Sequence, residues 1–191
     1  MGSKIDGNAV GLAGEFTVLA QLQMRPKLQA TFTLGHTKSV DIVVVNGRQK
    51  PIRVQVKASH RGPRSIKRGK YGRNYYAWPM DRKDEARSDV DVCCFVKFIP
   101  PKTSGGSWSS RFFVVPWRDV RTNLRWGYQQ YLRAEKRRPA AGRNIGFREF
   151  RIPVGREERA PACVPPSCRR GARWLRYEND WGWFSRSPAR S

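Results

Sequence analysis

Residues 39–59 read SVDIVVVNGRQKPIRVQVKAS, and the rest of the chain is understood through them. Two short apolar runs, VDIVVV at 40–45 and IRVQV at 52–56, alternate with a period of two. Between them, Asn46-Gly47 carries the turn chemistry of a hairpin. In the first run Val40, Ile42 and Val44 share a face, with Asp41 opposite; in the second Ile52, Val54 and Val56 share a face, leaving Arg53, Gln55 and Lys57 on the other. A carboxylate, an amide and an amine buried without partners are costly, so either that face is wet or the three share a task. Folding the hairpin about its turn brings Asp41 opposite a residue near Val56, within a residue of both Gln55 and Lys57. Strict antiparallel parity sets Asp41 beside Val56 on the wrong face, so a bulge or an odd loop register is required.

On the N-terminal side, residues 8–24 predict a helix. Leu12, Phe16, Leu19 and Leu22 form its apolar stripe, and Glu15 falls inside that stripe, an unusual place for a carboxylate. A strand is expected over 30–34. On the C-terminal side, NYYAW (74–78), DVDVCCFVKFI (89–99), RFFVVPW (111–117) and FREFRIPV (147–154) predict strands, the second and third as a hairpin across a Gly/Ser break. Residues 118–138 predict a helix, and a short aromatic helix closes the chain. The order is helix, strands, helix: an α/β fold with a mixed central sheet flanked by helices and the early helix packed on it. The domain division expected is a core over 1–137 and a basic Pro/Gly/Arg-rich extension over 138–191, whose terminal aromatic helix packs back on the core.

Charge is the dominant anomaly of composition. The 191 residues hold 38 Lys and Arg against 15 Asp and Glu, a net charge of +23. Such an excess repels itself in a compact chain, and its commonest use is to meet a polyanion, nucleic acid first. No run is long and apolar enough for a membrane helix, and the N-terminus lacks the apolar stretch of a signal peptide. Cys93 and Cys94 sit in an apolar run and are expected to be inert core thiols. Cys163 and Cys168 are too widely spaced for a zinc knuckle and have no second pair. A reduced, cytoplasmic, DNA-associated protein is the expectation.

The hairpin residues make chemical sense as one site. A carboxylate, a second oxygen donor and a backbone carbonyl suit a hard divalent cation such as Mg²⁺. A lysine beside that cation can orient or deprotonate a water and stabilise charge developing on a phosphate. Glu15, turned inward, adds a further oxygen. An early-helix Glu, then Asp, a turn, and Gln-Val-Lys resembles the PD-(D/E)xK nuclease superfamily, with its restriction-endonuclease-like fold. More narrowly, GLAGEFTVLAQL, SVDIVVV and IRVQVKAS are similar to its subgroup with Gln in place of the usual acid, which includes intron-encoded homing endonucleases. Archaeal Holliday junction resolvases share the early Glu and the fold. The similarity covers about residues 7–118 and the aromatic tail. It implies a metal-dependent DNA endonuclease using Mg²⁺ or Mn²⁺ and no small-molecule cofactor. Asp41 is then the principal ligand, Gln55 a weaker ligand or water positioner, Lys57 the catalytic lysine, Glu15 the helix-borne ligand, and the Val56 carbonyl completes the shell. Gln55 is the departure that matters, since a neutral amide removes one negative charge from the site and leaves an inactivated DNA-binding descendant as the alternative.

Directly after Lys57, residues 61–73 (RGPRSIKRGKYGR) hold six basic residues and no acid, and predict a flexible cationic loop. Arg61, Arg64, Lys67, Arg68, Lys70 and Arg73 are expected to contact phosphates, with Tyr71, Tyr75 and Tyr76 available for stacking. Six such contacts imply a log affinity falling with log salt at a slope of about −5 on duplex DNA. Cutting both strands needs two sites, so a homodimer or higher symmetric assembly is expected. A structural RNA-binding role would account for the charge but gives Glu15, Asp41 and Lys57 no joint purpose.

Overall fold

The computed structural model describes residues 5–33, 39–47, 50–66, 73–103, 105–137, 147–153 and 176–185. In chain order the elements are α1 (Gly7–Gln23), β1 (Leu28–Phe32), β2 (Ile42–Asn46), β3 (Ile52–Ser59), β4 (Arg64–Ile66), β5 (Arg73–Asp81) and α2 (Arg82–Ala86). There follow β6 (Val92–Ile99), β7 (Ser109–Pro116), α3 (Trp117–Arg137), β8 (Phe147–Pro153) and a short 3₁₀ helix, Trp181–Ser185. They form two compact units: Met1–Arg61 with Ser88–Trp117 and Tyr177–Ser191, and Gly62–Arg87 with Arg118–Arg176. Both units are discontinuous in sequence, unlike the expected division at 137/138.

The first unit is built on a five-stranded mixed sheet in the order β1-β2-β3-β6-β7. Its one parallel pair is β3 with β6, running from Val54↔Val92 to Ser59↔Lys97; the others are antiparallel. A parallel neighbour cannot be reached by a tight turn, and the chain between β3 and β6 supplies the first piece of the second unit. β6 is buried from Val92 to Lys97, which explains its near-continuous apolar run. β6 and β7 form the expected hairpin, and Cys93 and Cys94 are buried free thiols.

α1 is capped by the Asp6 side chain, which accepts from the Asn8 N–H at 3.3 Å. Its buried line is Val10, Gly14, Val18 and Leu22. This corrects the expected stripe: Leu12 and Phe16 are 53% and 56% exposed, and of that set only Leu22 and the partly buried Leu19 reach the core. Apolar residues surround α1 on all sides, so composition alone offered several faces. The face chosen contains Gly14, where the backbone comes closest to β3. Around it Val18, Leu22, Ile42, Val44, Val54, Val56, Val92, Cys94 and Val114 form one core with Trp181 and Phe184 from the chain's end. The closing segment is tied down by Val114 N–H to Tyr177 O at 2.8 Å, Asn179 N–H to Phe112 O at 3.0 Å and a two-pronged Arg111–Glu178 ion pair at 2.7 and 2.8 Å. It thereby covers the free edge of β7. The expected terminal helix is, among the described residues, this single 3₁₀ turn.

The second unit holds an antiparallel sheet, β4-β5-β8, together with α2 and α3. Arg64–Ile66 form a strand, so the expected cationic loop over 61–73 is broken by β4; residues 67–72 lie outside the described ones. One sheet face is buried through Tyr76, Trp78, Met80, Phe150 and Ile152. Arg148 is buried too, and it is tolerated because Glu85 accepts from its Nε at 2.8 Å and its guanidinium lies over Tyr128, 3.4 Å from the ring centroid. α2 was not foreseen. Its signal is the capping box Asp81-x-x-Asp84, in which each carboxylate accepts the other residue's N–H, at 2.7 and 3.0 Å.

Candidate functional site

The site begins where β2 leaves β3. Their ladder pairs Ile42 with Val54, Val43 with Arg53 and Val44 with Ile52, and it stops at Asp41. There the main chain steps aside: the Asp41 N–H donates to Val54 O at 2.9 Å, and its carbonyl accepts from Thr33 N–H at 3.1 Å. The Asp41 side chain takes over the vacated position, with Oδ2 accepting the Val56 N–H at 2.6 Å. A carboxylate thus stands where a strand carbonyl would be, and this resolves the parity problem: Asp41 enters between the strands, at the backbone that links Gln55 to Lys57.

Glu15 comes within range of the Asp41 charge from α1. A Cβ on Gly14 would lie 2.5 Å from the Ala58 Cβ and 3.6 Å from Val56 Cγ1, so α1 rests on β3 at a distance only glycine permits. The next residue, Glu15, is half-buried. Its pKa is raised, first by burial and then by the negative charge of Asp41. The two carboxylates therefore share one electrostatic environment, although 26 sequence positions separate them.

Gln55 and Lys57 lie on the same face of β3 by strand alternation. Gln55 is only 3% exposed, and its Oε1 has no hydrogen-bond partner among the described residues. A buried, unsatisfied amide oxygen is expensive and calls for a ligand or a structural explanation. Lys57 is half-buried and engaged with neighbours. No group of three or more His, Cys, Asp or Glu side chains able to hold a metal occurs among the described residues. The oxygen donors here are two carboxylates and one amide, to which the Val56 carbonyl can be added.

The predicted basic residues fare differently from one another. Arg61, at the exit of β3, is exposed, while both its main-chain groups are engaged: the N–H with Ser59 Oγ at 3.4 Å and the carbonyl with Lys97 Nζ. Ser59 and Lys97 are both buried, and they pair in the β3–β6 ladder. Burial pushes the Lys97 amine down to about 8. Neither was foreseen; one lysine inside a wholly apolar strand was the available signal. Arg64 belongs to the second unit, where it pairs with Glu149. The Arg73 backbone lies in β5, opposite Ile66. Lys67, Arg68, Lys70 and Tyr71 are outside the described residues. Tyr75 and Tyr76 are buried, which removes them as stacking platforms: Tyr75 lies under the Arg151 guanidinium and Tyr76 against Trp78. His60 is half-buried and His36 lies outside the described residues.

The first unit is thus a mixed α/β layer with an early helix on a five-stranded sheet and an acidic–amide–lysine set at the β2/β3 divergence. Comparison with protein-family models and with curated proteins gave no match. Among solved structures, the chain is similar to a bacterial homing endonuclease, I-Ssp6803I, at 14% identity over 94% of this chain and 92% of that one, with a TM-score of 0.44. No helix among the described residues is long and apolar enough to cross a membrane.

Proposed function

We propose that the chain is a divalent-metal-dependent DNA endonuclease, with Glu15, Asp41, Gln55 and Lys57 as its site. The observation carrying this reading is Asp41 Oδ2 accepting the Val56 N–H, at the backbone between Gln55 and Lys57, with Glu15 close enough for the Asp41 charge to raise its pKa. Repulsion between the two carboxylates is relieved by a cation, and Gln55 Oε1, which has no hydrogen-bond partner among the described residues, is a further oxygen donor on β3. Oxygen donors of this kind suit Mg²⁺ or Mn²⁺. Glu15, Asp41, Gln55 Oε1 and the Val56 carbonyl would hold the ion, which when bound supplies charge stabilisation at a phosphodiester and a more acidic water.

The chain's own residues then have separable roles. Asp41 is fixed by the Val56 N–H at Oδ2 and carries the carboxylate charge that a cation would meet. Gln55 orients a ligand or water without adding charge. Lys57, the next outward residue on the same strand face, places its amine near the attacking water and the phosphate oxygens. Arg61, held at the end of the strand, adds positive charge for the DNA backbone. Double-strand cutting requires two such sites, supplied by two copies of the chain.

The test is a cleavage panel on linear, branched and supercoiled DNA with Mg²⁺ or Mn²⁺, using wild type, Asp41→Asn and Lys57→Ala. Cutting by wild type, lost in both variants with DNA binding retained, is the expected result. Wild type that binds every DNA form and cuts none overturns the reading.

Gln55 specifically favours a second reading, a DNA-binding protein that keeps the nuclease layout but not its activity, because an amide weakens cation binding relative to a carboxylate. Gln55→Glu separates the two. A gain of cutting from an inactive wild type assigns the binding role to the natural chain.

A further inference from the structure

Positive charge is unevenly divided between the two units. Residues 62–87 and 118–176 hold 24 Lys and Arg against 8 Asp and Glu, a net +16, whereas the remaining residues hold 14 against 7, a net +7. The unit with the acidic–amide–lysine set is therefore the less basic one. A polyanion's main contact is expected on the other.

That second unit presents a sheet with two unlike faces. Tyr76, Trp78, Met80, Phe150 and Ile152 bury one of them. On the opposite face, by strand alternation and register, lie Arg64 (paired with Tyr75), Arg151 (paired with Ala77) and Glu149 (paired with Pro79). Glu149 is the organising group. Its side chain is only 4% exposed, while those of Arg64 and Arg151 remain 42% and 33% exposed. Oε1 receives Arg64 Nη1, and Oε2 receives Arg151 Nε at 2.7 Å. Arg151 also lies over the Tyr75 ring, 5.0 Å from its centroid. One buried carboxylate thus fixes two solvent-facing guanidiniums on a three-stranded surface. Ordinary phosphate neutralisation needs no such preparation, since a flexible lysine serves. A fixed planar fork instead suits an acceptor pair of set geometry, such as guanine O6 and N7 on the major-groove edge of a base pair.

We infer that this arginine face reads base edges of duplex DNA, with Arg64 and Arg151 as specificity residues and Glu149 positioning both. The inference rests on DNA being the partner, as in the proposed function, but not on cleavage.

The experiment is selection of bound sequences from a randomised duplex pool by the full-length chain, in a metal-free buffer containing chelator, followed by salt titration on the selected duplex. Wild type is expected to select a motif containing guanine. Arg64→Lys and Arg151→Lys keep the charge but lose the fork, and each is expected to flatten preference at a guanine position by roughly ten- to a hundredfold. Glu149→Gln gives the sharpest contrast: removing a negative charge tightens binding to every duplex if the arginines only neutralise phosphate, whereas a reading role predicts a flattened motif. Circular dichroism and thermal melting verify that each variant is folded, and the two Lys variants keep the test open if Glu149→Gln does not fold. Variants that select the wild-type motif unchanged overturn the inference, as does wild type that binds duplexes without preference. A wild type that retains no duplex even at low salt overturns the DNA reading itself.

Discussion

Two aspartates flank β3 and perform the same backbone task with opposite electrostatic outcomes. Asp91 donates its N–H to Arg53 O at 2.9 Å and accepts the Arg53 N–H on Oδ2 at 2.8 Å; Asp41 donates to Val54 O at 2.9 Å and accepts the Val56 N–H at 2.6 Å. Each carboxylate stands in for a missing ladder carbonyl. The difference lies in the neighbours. Asp91 faces the Arg53 guanidinium, with Nε–Oδ2 and Nη2–Oδ1 both at 3.0 Å, so its charge is answered within the protein. Asp41 lies close enough to another carboxylate, Glu15, for its charge to raise that group's pKa. Asp91 is thus paired with a fixed cation, whereas the charge of Asp41 bears on a second acid.

Catalysis gives the largest contrast. Asp41→Asn keeps an acceptor for the Val56 N–H and is expected to lower single-turnover DNA cleavage by roughly 10²–10⁴-fold, the scale of a lost acid–base or charge-stabilising group, without loss of thermal stability. Asp91→Asn is expected to leave cleavage within a few-fold of wild type. Equal losses in the two variants would erase the distinction.

Next in size are two glycine substitutions on α1. Gly14→Ala forces a methyl group into the Ala58 Cβ and is expected to destabilise the chain by about 1–3 kcal/mol, while moving Glu15 and depressing cleavage. Gly11→Ala meets nothing within 4 Å and is expected to stabilise by up to about 1 kcal/mol through helix propensity alone. Denaturant titrations of both variants supply the comparison. A Gly14→Ala chain with wild-type stability and activity would show that α1 is not held in place at this contact.

The pH behaviour of the two acids has opposite signs. Burial raises the pKa of Asp91, but Arg53's hydrogen bonds and charge outweigh it, leaving it below the ordinary 3.8. The stability it contributes is therefore present above 3.8 and is lost as pH falls through the lower folded-state value. Glu15 sits above its ordinary 4.5, so the folded chain retains a proton that the unfolded chain has released. Its contribution is complete below 4.5 and is lost as pH rises through the folded-state value. Carboxyl ¹³C titration is expected to give these opposite displacements, with Glu15 moving back toward 4.5 in Asp41→Asn but not reaching it, because burial persists. Divalent-cation affinity is expected to weaken as pH falls through the Glu15 transition, since proton and cation compete.

A last comparison concerns Lys97. With its amine near 8 in the folded chain against an ordinary 10.5, the unfolded chain binds more protons between those values, and stability is expected to rise with pH across that window. Lys97→Met is expected to remove that slope, as read from denaturation midpoints at pH 8 and pH 10.

How much of this was legible in the sequence depended on the range of the interaction. Gln55 and Lys57 share a strand face by local alternation, and that needed only the IRVQVK pattern. The α1 stripe was misread because Leu12, Phe16 and Leu19 were as apolar as Val10 and Val18, and nothing local marked Gly14 as the closest approach. Tyr75 and Tyr76 read as available aromatics because their pairing in β8, with Pro153 and Ile152, joins segments more than 70 residues apart. The pairing of Glu149 with Arg64 joins positions 85 apart, so nothing local in FREFRIPV marks it.

By itself, then, the chain's order of residues determined its helix–strand succession, the β2–β3 hairpin, the buried run of β6 and the large positive charge, because propensity, alternation and net charge act over a few residues or are simple sums. Tertiary structure alone decided that Asp41 would replace a ladder carbonyl, that Gly14 would seat α1 against Ala58, and that Glu15 would come within range of the Asp41 charge. Those outcomes depend on steric fit and charge between segments far apart in sequence, and such contacts exist only once the layers have packed.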